Sequence, residues 1–348
     1  MGLFGSSTQI GVSIGTSSVK IAVLKKSGKR VSLEHFGVSP LADQAIVNRE
    51  ITNHMAVVDA IRGIAQELSI KGKSVIVGLS GSAVIVKKIL IDQTSDKELE
   101  DAIIWEAEQY IPFDINEVVF DFEVVNRNGP EGKMEVILVA CKKAIVESYQ
   151  GAIKDAGLRT ETVDVDMFAL QNCYEFNYPQ DSTVALVDIG AASIKMLICG
   201  DGQPYFSRDA TVGGRNLTED IMKHLNLSFQ EAEMLKIDGN NKGEMPVEVA
   251  ELVNVTNENL ASEIKRSVDF YTASNQGSSL GYILLSGGSA RLHGLAKTIE
   301  EVTGLPTTVL NPFTEISCNP KYFTDESIDS IMGVAAIPVG LALRGLQA

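Results

Sequence analysis

The sequence predicts an α/β protein built from two duplicated lobes, with a β-α-β-β-α-β unit inserted in the first. Three observations predict this fold class. A hairpin motif occurs twice, 175 residues apart, which is half of the 348-residue chain. Strand and helix patterns follow each copy, and a further set of six elements lies between them. The chain is long enough for two domains with separate cores.

The repeated hairpin has the sequence VSIGTSSVK at 12–20 and VDIGAASIK at 187–195. Shifting the chain by 175 positions superposes Gly15 on Gly190 and Lys20 on Lys195, and apolar residues follow both copies. We expect each copy to be a pair of strands joined by a turn at its glycine. Two homologous lobes that face each other follow from this repeat.

The rest of the first lobe and the insertion are predicted from hydrophobic periodicity. In the first lobe we expect a strand at 31–38, an amphipathic helix at 53–68 and a buried strand at 74–80. The inserted β-α-β-β-α-β unit comprises strands at 83–91, 117–125, 133–141 and 159–165 and helices at 96–111 and 143–157. The insertion also holds the aromatic concentration of the chain: Trp105, Tyr110, Ile111, Pro112 and Phe113. We expect most of these side chains to lie in a core, and the others to be able to line an apolar groove that binds a peptide.

The second lobe is predicted to have strands at 185–190, 195–200, 203–212 and 282–286 and helices at 215–226, 228–238, 246–274 and 290–304. The apolar run 331–343 has 13 residues, whereas a spanning helix needs about 20, so it predicts a buried helix that Pro338 kinks or breaks. The predicted domains are a first lobe at 1–82, completed by 160–182 and 328–348; an insertion at 83–159; a second lobe at 183–212 and 280–327; and a helical subdomain at 213–279.

Charge and cysteine content exclude several classes of function. The formal net charge of −15 argues against a nucleic-acid binder and against unaided binding to an anionic membrane. The four cysteines are widely spaced and form no CxxC pair, which is typical of reduced thiols in a cytosolic protein. The four histidines show no metal-ligand spacing.

The hairpin tips are candidate phosphate sites. Gly15 lets the backbone turn so that several N–H groups point at one volume, and Thr16, Ser17 and Ser18 add hydroxyl donors. One such turn is usually a plain hairpin turn, but two copies predict a polyphosphate held between the lobes. Lys20, like Lys195, lies five residues beyond its glycine, where a solvated strand residue is the alternative.

Two further features fit a nucleotide. Asp188 lies between apolar residues, and a carboxylate is seldom buried without a partner, so we expect it to help hold Mg²⁺ on the nucleotide. The segment LLSGGSARLHG places Gly287, Gly288 and Ser289 between a strand and a helix. Glycines there would let a flat ring approach the backbone, although a tight strand-to-helix turn explains them equally well.

The set VSIGTSSVK, VDIGAASIK and LLSGGSARLHGL resembles the actin-like ATPase superfamily, whose fold has ribonuclease H-like duplicated lobes. The segments WEAEQYIPFDINEVVFDFEVV, VDVDMFALQNCYEF, GGRNLTEDI and SFQEAEMLK resemble the PilM family of type IV pilus assembly proteins, relatives of FtsA. The resemblance runs from about residue 8 to 346. In that family's terms the two lobes would be subdomains 1A and 2A, the insertion 1C and the helical subdomain 2B.

The resemblance implies a cytoplasmic scaffold of the type IV pilus inner-membrane platform, active in twitching motility. It implies ATP between the lobes, and the cytoplasmic N-terminal segment of the membrane protein PilN between 1C and the first lobe. The chain would then reach the membrane only through its partner, would act indirectly on pilus assembly and retraction ATPases, and could form a homo-oligomer.

The resemblance also implies roles for single residues. The first phosphate site would be Gly15, Thr16, Ser17, Ser18 and Lys20, and the second would be Asp188, Gly190 and Ser193, with Gly214 near the phosphates. Glu233 and Lys236 would reach the ribose and adenine beside Gly287, Gly288 and Ser289. Because Glu233 and Lys236 are spaced i, i+3 on a predicted helix, a surface ion pair is the alternative.

One position departs from the superfamily pattern. Ser13 stands where an Asp usually precedes the first glycine, and a hydroxyl brings no negative charge to Mg²⁺ or to an attacking water. We therefore expect nucleotide binding with slow or absent hydrolysis. Gln171 aligns loosely with a water-orienting position and is the one catalytic candidate, with a helix-surface residue as the alternative.

Two other functions fit the same fold. An FtsA-like cell-division protein normally carries a C-terminal linker and an amphipathic membrane helix, whereas this sequence ends at RGLQA. A small-molecule kinase needs an Asp base, for which Asp164 and Asp166 are the candidates. Both of these residues would serve equally well as helix caps.

Overall fold

The computed structural model describes residues 7–48, 50–79, 84–95, 97–239, 243–275 and 279–347. The boundary predicted between residues 82 and 83 and the predicted ends at residues 80 and 96 lie outside these ranges. The first lobe begins with β1 Ser7–Ile14, β2 Ser18–Ser27, β3 Arg30–Pro40, β4 Ile46–Val47, β5 Glu50–Ile51, α1 His54–Glu67 and β6 Ser74–Leu79. Each predicted first-lobe element is found within a few residues of its expected place.

The chain then continues through β7 Val84–Ile91, α2 Leu99–Tyr110, β8 Val118–Asn126, β9 Met134–Lys142, α3 Lys143–Asp155, β10 Arg159–Val165 and α4 Asp166–Asn177. The second half contains β11 Thr183–Ile189, β12 Ile194–Gly200, β13 Gln203–Ala210, α5 Gly214–Leu225, α6 Phe229–Asp238, α7 Val247–Ser274, β14 Leu280–Ser286, α8 Leu295–Thr303, β15 Thr307–Val309, β16 Ser317–Cys318 and α9 Asp325–Gln347.

The duplication is visible in the two large sheets. The first has the strand order β10-β6-β1-β2-β3-β16 and the second has β13-β12-β11-β14-β15. In each, three consecutive antiparallel strands are followed by two parallel ones. The register repeats as well, because Ser13 lies opposite Lys20 just as Asp188 lies opposite Lys195. The two lobes predicted from the 175-residue repeat are thus confirmed.

Both sheets are buried on their two faces, which explains their continuous apolar strands. In β2, Ile21 and Val23 pack in a core with α1, while Leu24 packs in a central core with α4 and α9. In β11, Val187 packs with α7 and α8, while Leu186 faces the same central core. The two sheets therefore turn their inner faces toward each other, with α4 and α9 between them.

The inserted elements occur in the predicted order, but they do not all pack together. A three-stranded sheet, β7-β9-β8, is covered by α2 and has its own core around Ile103, Met134 and Leu138. In contrast, β10 pairs with β6 in the first large sheet, and Tyr149 and Ile153 of α3 join the first-lobe core. The packing thus favours an independent unit of β-α-β-β, and the domain boundaries stay a prediction.

The C-terminal helix α9 is a core element of both lobes. It runs from Asp325 to Gln347 without interruption at Pro338, where the sequence predicts a kink or break. One stretch of the described chain, Asp325–Leu346, is long and apolar enough to cross a membrane, but 56% of its apolar window is buried against the rest of the protein. Its packing is that of the predicted buried helix.

Two segments of the second half differ from expectation. The helix predicted from residue 290 begins only at Leu295, because Gly294 adopts a left-handed φ of 81° that ends the preceding turns. The short strand β16 pairs with β3, so the chain returns to the first sheet before residue 328, where the sequence places the return.

Candidate functional site

The two hairpin tips have the same turn geometry. The N–H of Gly15 donates to the carbonyl of Ser18 at 3.0 Å, and the N–H of Gly190 donates to the carbonyl of Ser193 at 2.9 Å. Because successive strand residues alternate between faces, Lys20 shares the inner face with Leu24, as Asp188 does with Leu186. The polar residues that end the paired strands therefore point into the space between the lobes.

Four side chains from both lobes form what we call the charge cluster: Lys20, Asp166, Asp188 and Lys195. The ammonium Nζ of Lys195 lies 3.3 Å from Oδ2 of Asp166 and 3.4 Å from Oδ2 of Asp188. Lys195, Asp166 and Asp188 are all buried. A buried charge is costly unless it is paired, so this arrangement explains how two carboxylates are retained inside the protein.

Lys20 connects the first hairpin to this cluster. Burial lowers the pKa of the Lys20 ammonium, the nearby Lys195 ammonium lowers it further, and the carboxylates of Asp188 and Asp166 partly offset both effects. These interactions join residues of β2, α4, β11 and β12, so the two hairpins share one polar centre. The formal charge of the cluster with both lysines protonated is zero.

The sequence alone does not place Asp166 beside the two hairpins. It begins α4, and its Oδ1 has no hydrogen-bond partner among the described residues. Gly78 makes room for it, because a Cβ at that position would lie 2.1 Å from the same Oδ1. The one indication in the sequence is that Asp166 directly follows β10, but this position fits a helix cap or a kinase base equally well.

The third predicted turn packs directly on the second hairpin. Gly287 has φ of 94°, and its N–H donates to the carbonyl of Gly333 in α9 at 2.7 Å. The N–H of Ser289 donates to the carbonyl of Ile189 at 3.0 Å, and its Oγ donates to the carbonyl of Gly190 at 3.3 Å. Gly288 lies between these two anchored residues, with an added Cβ meeting only Val334 at 3.9 Å.

The start of α5 also packs against the tip of the second hairpin. The N–H groups of Gly214 and Arg215 donate to the carbonyls of Gly190 and Ala191, at 3.0 and 2.8 Å. A Cβ on Gly214 would lie 2.1 Å from Oγ of Ser289. Gly214 thus lies next to the second hairpin, but its N–H is used inside the protein and its lack of a side chain permits close packing. Its place near the phosphates stays a prediction.

Glu233 and Lys236 form the ion pair that was the simpler alternative. Nζ of Lys236 lies 2.7 Å from Oε2 of Glu233 and also donates to Thr218 Oγ1 at 2.9 Å and to the carbonyl of Gly214 at 3.3 Å. The pair therefore stands beside Gly214 and, through it, beside Ser289. Its location is compatible with the predicted contact to ribose and adenine.

Gln171 is not brought to the charge cluster by any observed contact. It is buried in α4, and its amide Nε2 donates to Oε1 of Glu175 one turn further along, at 2.7 Å. This bond runs along the helix, away from Asp166 at its start. The catalytic role of Gln171 stays a prediction, and the observed contact supports a structural one.

The predicted apolar groove residues divide between core and surface. Ile111 is buried in the core of the inserted unit, whereas Trp105, with 68% of its surface exposed, stands on the outer side of α2. Tyr110 and Phe113 are also exposed, and the ammonium of Lys142 lies 4.3 Å from the centroid of the Phe113 ring. Exposed aromatic residues are therefore available for a partner on this unit.

The carboxylate predicted to hold Mg²⁺, that of Asp188, faces a lysine in this structure. Within the described ranges, no group of three or more His, Cys, Asp or Glu side chains is placed to hold a metal ion. The carboxylate of Asp188 already faces an ammonium, and Ser13, at the matching position of the first hairpin, is neutral. The metal predicted at Asp188 would have to compete with Lys195.

Comparison with known proteins gives a consistent result. The family model described as "Type IV pilus assembly protein PilM" matches residues 11–346. A solved structure described as a "PilM-PilN type IV pilus biogenesis complex" is 28% identical, has a TM-score of 0.85, and the match covers 98% of this chain and 99% of that one.

More distant relatives share the fold. The cell division protein FtsA of Streptococcus pneumoniae is 25% identical over 93% of this chain and 79% of its own length, and that of Enterococcus hirae is 24% identical over 87% and 78%. MreB5 of Spiroplasma citri bound to AMPPNP is 13% identical with a TM-score of 0.51, over 96% of this chain and 94% of its own. The fold is thus actin-like, as the resemblance implies.

Proposed function

This chain belongs to the PilM family of type IV pilus assembly proteins, and on that basis we propose that it is an actin-like scaffold that binds ATP between its lobes. The observation that carries the proposal is the shared charge cluster. Residues from both hairpins converge on it, and its two lysines, Lys20 and Lys195, are the cations that would contact the phosphates. The turn at Gly287, Gly288 and Ser289, packed against the second hairpin, would hold the adenosine.

Slow or absent hydrolysis is part of the proposal. Ser13 provides no carboxylate to an attacking water, Asp188 is engaged by Lys195, and Gln171 bonds to its own helix. Rapid phosphoryl transfer depends on groups that orient the nucleophile and stabilise developing charge, and this site shows few of them. The protein would accordingly act through its bound state, with turnover well below the roughly 1 s⁻¹ typical of slow enzymes.

The proposed partner is the cytoplasmic N-terminal segment of a PilN-like membrane protein, held between the inserted unit and the first lobe. Support comes from the solved PilM-PilN complex, which is similar over nearly the whole chain, and from the exposed aromatic residues of the inserted unit. Such binding would place the protein at the inner membrane through its partner. A homo-oligomer and indirect effects on pilus ATPases stay predictions.

Calorimetric titration tests both ligands. We expect wild-type protein to bind AMPPNP and a PilN-like N-terminal peptide, and we expect Lys20→Ala to weaken nucleotide binding about 10-fold or more, the loss typical of a charge-assisted contact. Lys297→Ala is the matched control, because Lys297 is 82% exposed at its side chain on α8. Failure of the wild type to bind any nucleotide would refute the nucleotide part of the proposal.

An FtsA-like function is the second candidate, favoured by 24–25% identity to FtsA over most of the chain. A pull-down that compares a PilN-like peptide with an FtsZ tail peptide separates the two. Trp105 is the one Trp of the sequence and is exposed, so its fluorescence gives an independent signal if a peptide binds on the inserted unit. A kinase has no comparable support, since Asp166 accepts from Lys195 and Asp164 lies near Arg344.

A further inference from the structure

The two hairpins differ in the residue that lies opposite the lysine on the paired strand. In the second, Lys195 lies opposite Asp188 and forms an ion pair with it. In the first, Lys20 lies opposite Ser13, which carries no charge. One hairpin therefore contains an internal cation and anion, and the other contributes a cation alone.

Lys195 also contacts a second carboxylate. Its ammonium lies between Asp166 and Asp188, at 3.3 and 3.4 Å from one oxygen of each. The three side chains are buried, and Gly78 leaves the space in which the Asp166 carboxylate stands. An ammonium between two carboxylates neutralises one of their two negative charges, and together with the ammonium of Lys20 it balances the charge that a divalent cation would otherwise balance.

We infer that Lys195 is a built-in counter-cation that replaces Mg²⁺, so that this protein binds the metal-free nucleoside triphosphate. The inference rests on the proposed nucleotide binding and specifies its ligand. Mg²⁺ dehydrates reluctantly and is usually held by one or two carboxylates together with phosphates. Here it would have to displace a buried ammonium from both carboxylates, which leaves that charge unpaired at high cost.

The phosphates can use the existing cations instead. Lysine binds phosphate as a point charge, and the cluster has two lysines, one from each hairpin. Free ATP carries more negative charge than its magnesium complex, so it interacts more strongly with an ammonium such as that of Lys20, whose own hairpin has Ser13 and no carboxylate opposite it. Ser13 fits the same scheme, because a carboxylate at that position would neutralise Lys20 and repel the phosphates.

The test measures AMPPNP affinity in EDTA and in excess Mg²⁺. For the wild type we expect an affinity in EDTA equal to or higher than that in Mg²⁺. For Lys195→Met we expect a loss of about 10-fold or more in EDTA and recovery in Mg²⁺, because the freed carboxylates can then hold the ion. Lys195→Arg keeps the charge and should keep the metal independence.

The outcomes are distinguishable. Wild-type binding that disappears in EDTA and returns with Mg²⁺ overturns the inference and leaves the nucleotide proposal intact. Absence of binding in both buffers refutes the nucleotide proposal, and the inference falls with it. If Lys195→Met does not fold, the double variant Asp188→Asn/Lys195→Met removes one buried carboxylate along with the ammonium. It should bind weakly in both buffers, whereas full binding in EDTA contradicts the role of Lys195.

Discussion

Ser13 and Asp188 occupy equivalent positions, and the lysine opposite each has a different environment as a result. Lys195 is paired with carboxylates, whereas Lys20 has none on its own hairpin and lies near Asp188 of the second lobe and Asp166 of α4. Burial and the neighbouring ammonium of Lys195 lower the pKa of Lys20, and the carboxylates of Asp188 and Asp166 partly offset this shift. The environment of Lys20 is therefore set by residues of both lobes.

Nucleotide binding should therefore weaken with rising pH in a range where an ordinary lysine would not titrate. The folded pKa of Lys20 lies below its usual 10.5, so the free protein loses this ammonium as pH rises through that lower value. Affinity is expected to be fully present below the folded pKa and to fall above it. Calorimetric titration at several pH values below 10.5 measures this.

Lys20→Arg is the comparison for this pH dependence, because the guanidinium remains protonated throughout the range. Its affinity for AMPPNP should stay flat with pH where that of the wild type declines. Parallel profiles for the two proteins would show that Lys20 is not the titrating group.

Gly78 allows a sharp test of the Asp166 position. In Gly78→Ala the new Cβ would lie 2.1 Å from Oδ1 of Asp166, so that carboxylate must move or the strand must shift. We expect the free energy of unfolding to fall by about 1–3 kcal/mol, the usual cost of overpacking. Chemical denaturation measures it. The control is Gly63→Ala in α1, where a Cβ meets open space and helix propensity should add about 0.5–1 kcal/mol.

At the scale of elements, local patterns predicted the strands and helices well, and their partners less well. The periodicity of 143–165 located α3 and β10, but it could not tell that β10 pairs with β6. Strand pairing depends on contacts between residues far apart in the sequence, which no local period encodes. For the same reason the sequence did not place Asp166 at the site, because that placement depends on its ion pair with Lys195 of the other lobe.

The hairpin repeat was more informative, because each copy contains both strands of an antiparallel pair. Superposing the two copies matched Ser13 with Asp188 and Lys20 with Lys195, and the structure gives these pairs the same register in both hairpins. It also located the exchange of Asp188 for Ser13, one of the four differences between the copies. Site residues outside the repeat, such as Gln171 and Gly214, were placed by a looser resemblance, and their observed contacts suggest packing roles.

The contact between α4 and α9 depends on a small residue. A Cβ on Gly340 would lie 1.7 Å from the carbonyl oxygen of Ala169, which is backbone and cannot turn aside. Gly340→Ala should therefore cost about 3 kcal/mol or more, at the upper end for overpacked cores. Thermal and denaturant unfolding both report this loss.

Gly333→Ala on the same helix is the matched control. Its Cβ would approach neighbours no closer than 3.4 Å, an ordinary contact, so a near-neutral change or a gain of up to about 1 kcal/mol is expected. Similar losses for the two variants would mean that helix geometry, and not the close approach to α4, governs stability here.

At the scale of the whole molecule, two kinds of contact join the lobes. The central core around α4 and α9 is permanent, since it includes Tyr174, Leu284 and Ala336 from different parts of the chain. Ion pairs also cross between the lobes as the sequence delimits them: Arg215 with Asp43, and Arg291 with Asp329. The first of these lies at the hairpin tips, because Leu41 near Asp43 donates its N–H to the carbonyl of Ser17.

Arg215 follows Gly214 directly, so its ion pair with Asp43 spans the space between the second hairpin and the tip of the first. The pair therefore stands at the edge of the proposed nucleotide position, where we expect it to restrain a bound ligand. Exposed ion pairs contribute about 0.2–1 kcal/mol, so Asp43→Asn should raise the dissociation rate of a fluorescent ATP analogue by about 1.5- to 5-fold. Stopped-flow displacement measures that rate.

The matched control is Asp59→Asn, which removes a similarly exposed ion pair with Arg62 inside the first lobe. It should leave nucleotide dissociation unchanged. High salt should raise the wild-type rate toward that of Asp43→Asn, since exposed charges are screened, and should change the variant much less. Equal rates for wild type and Asp43→Asn at low salt would mean that the pair does not restrain the ligand, and that the lobes are held at the site by the central core alone.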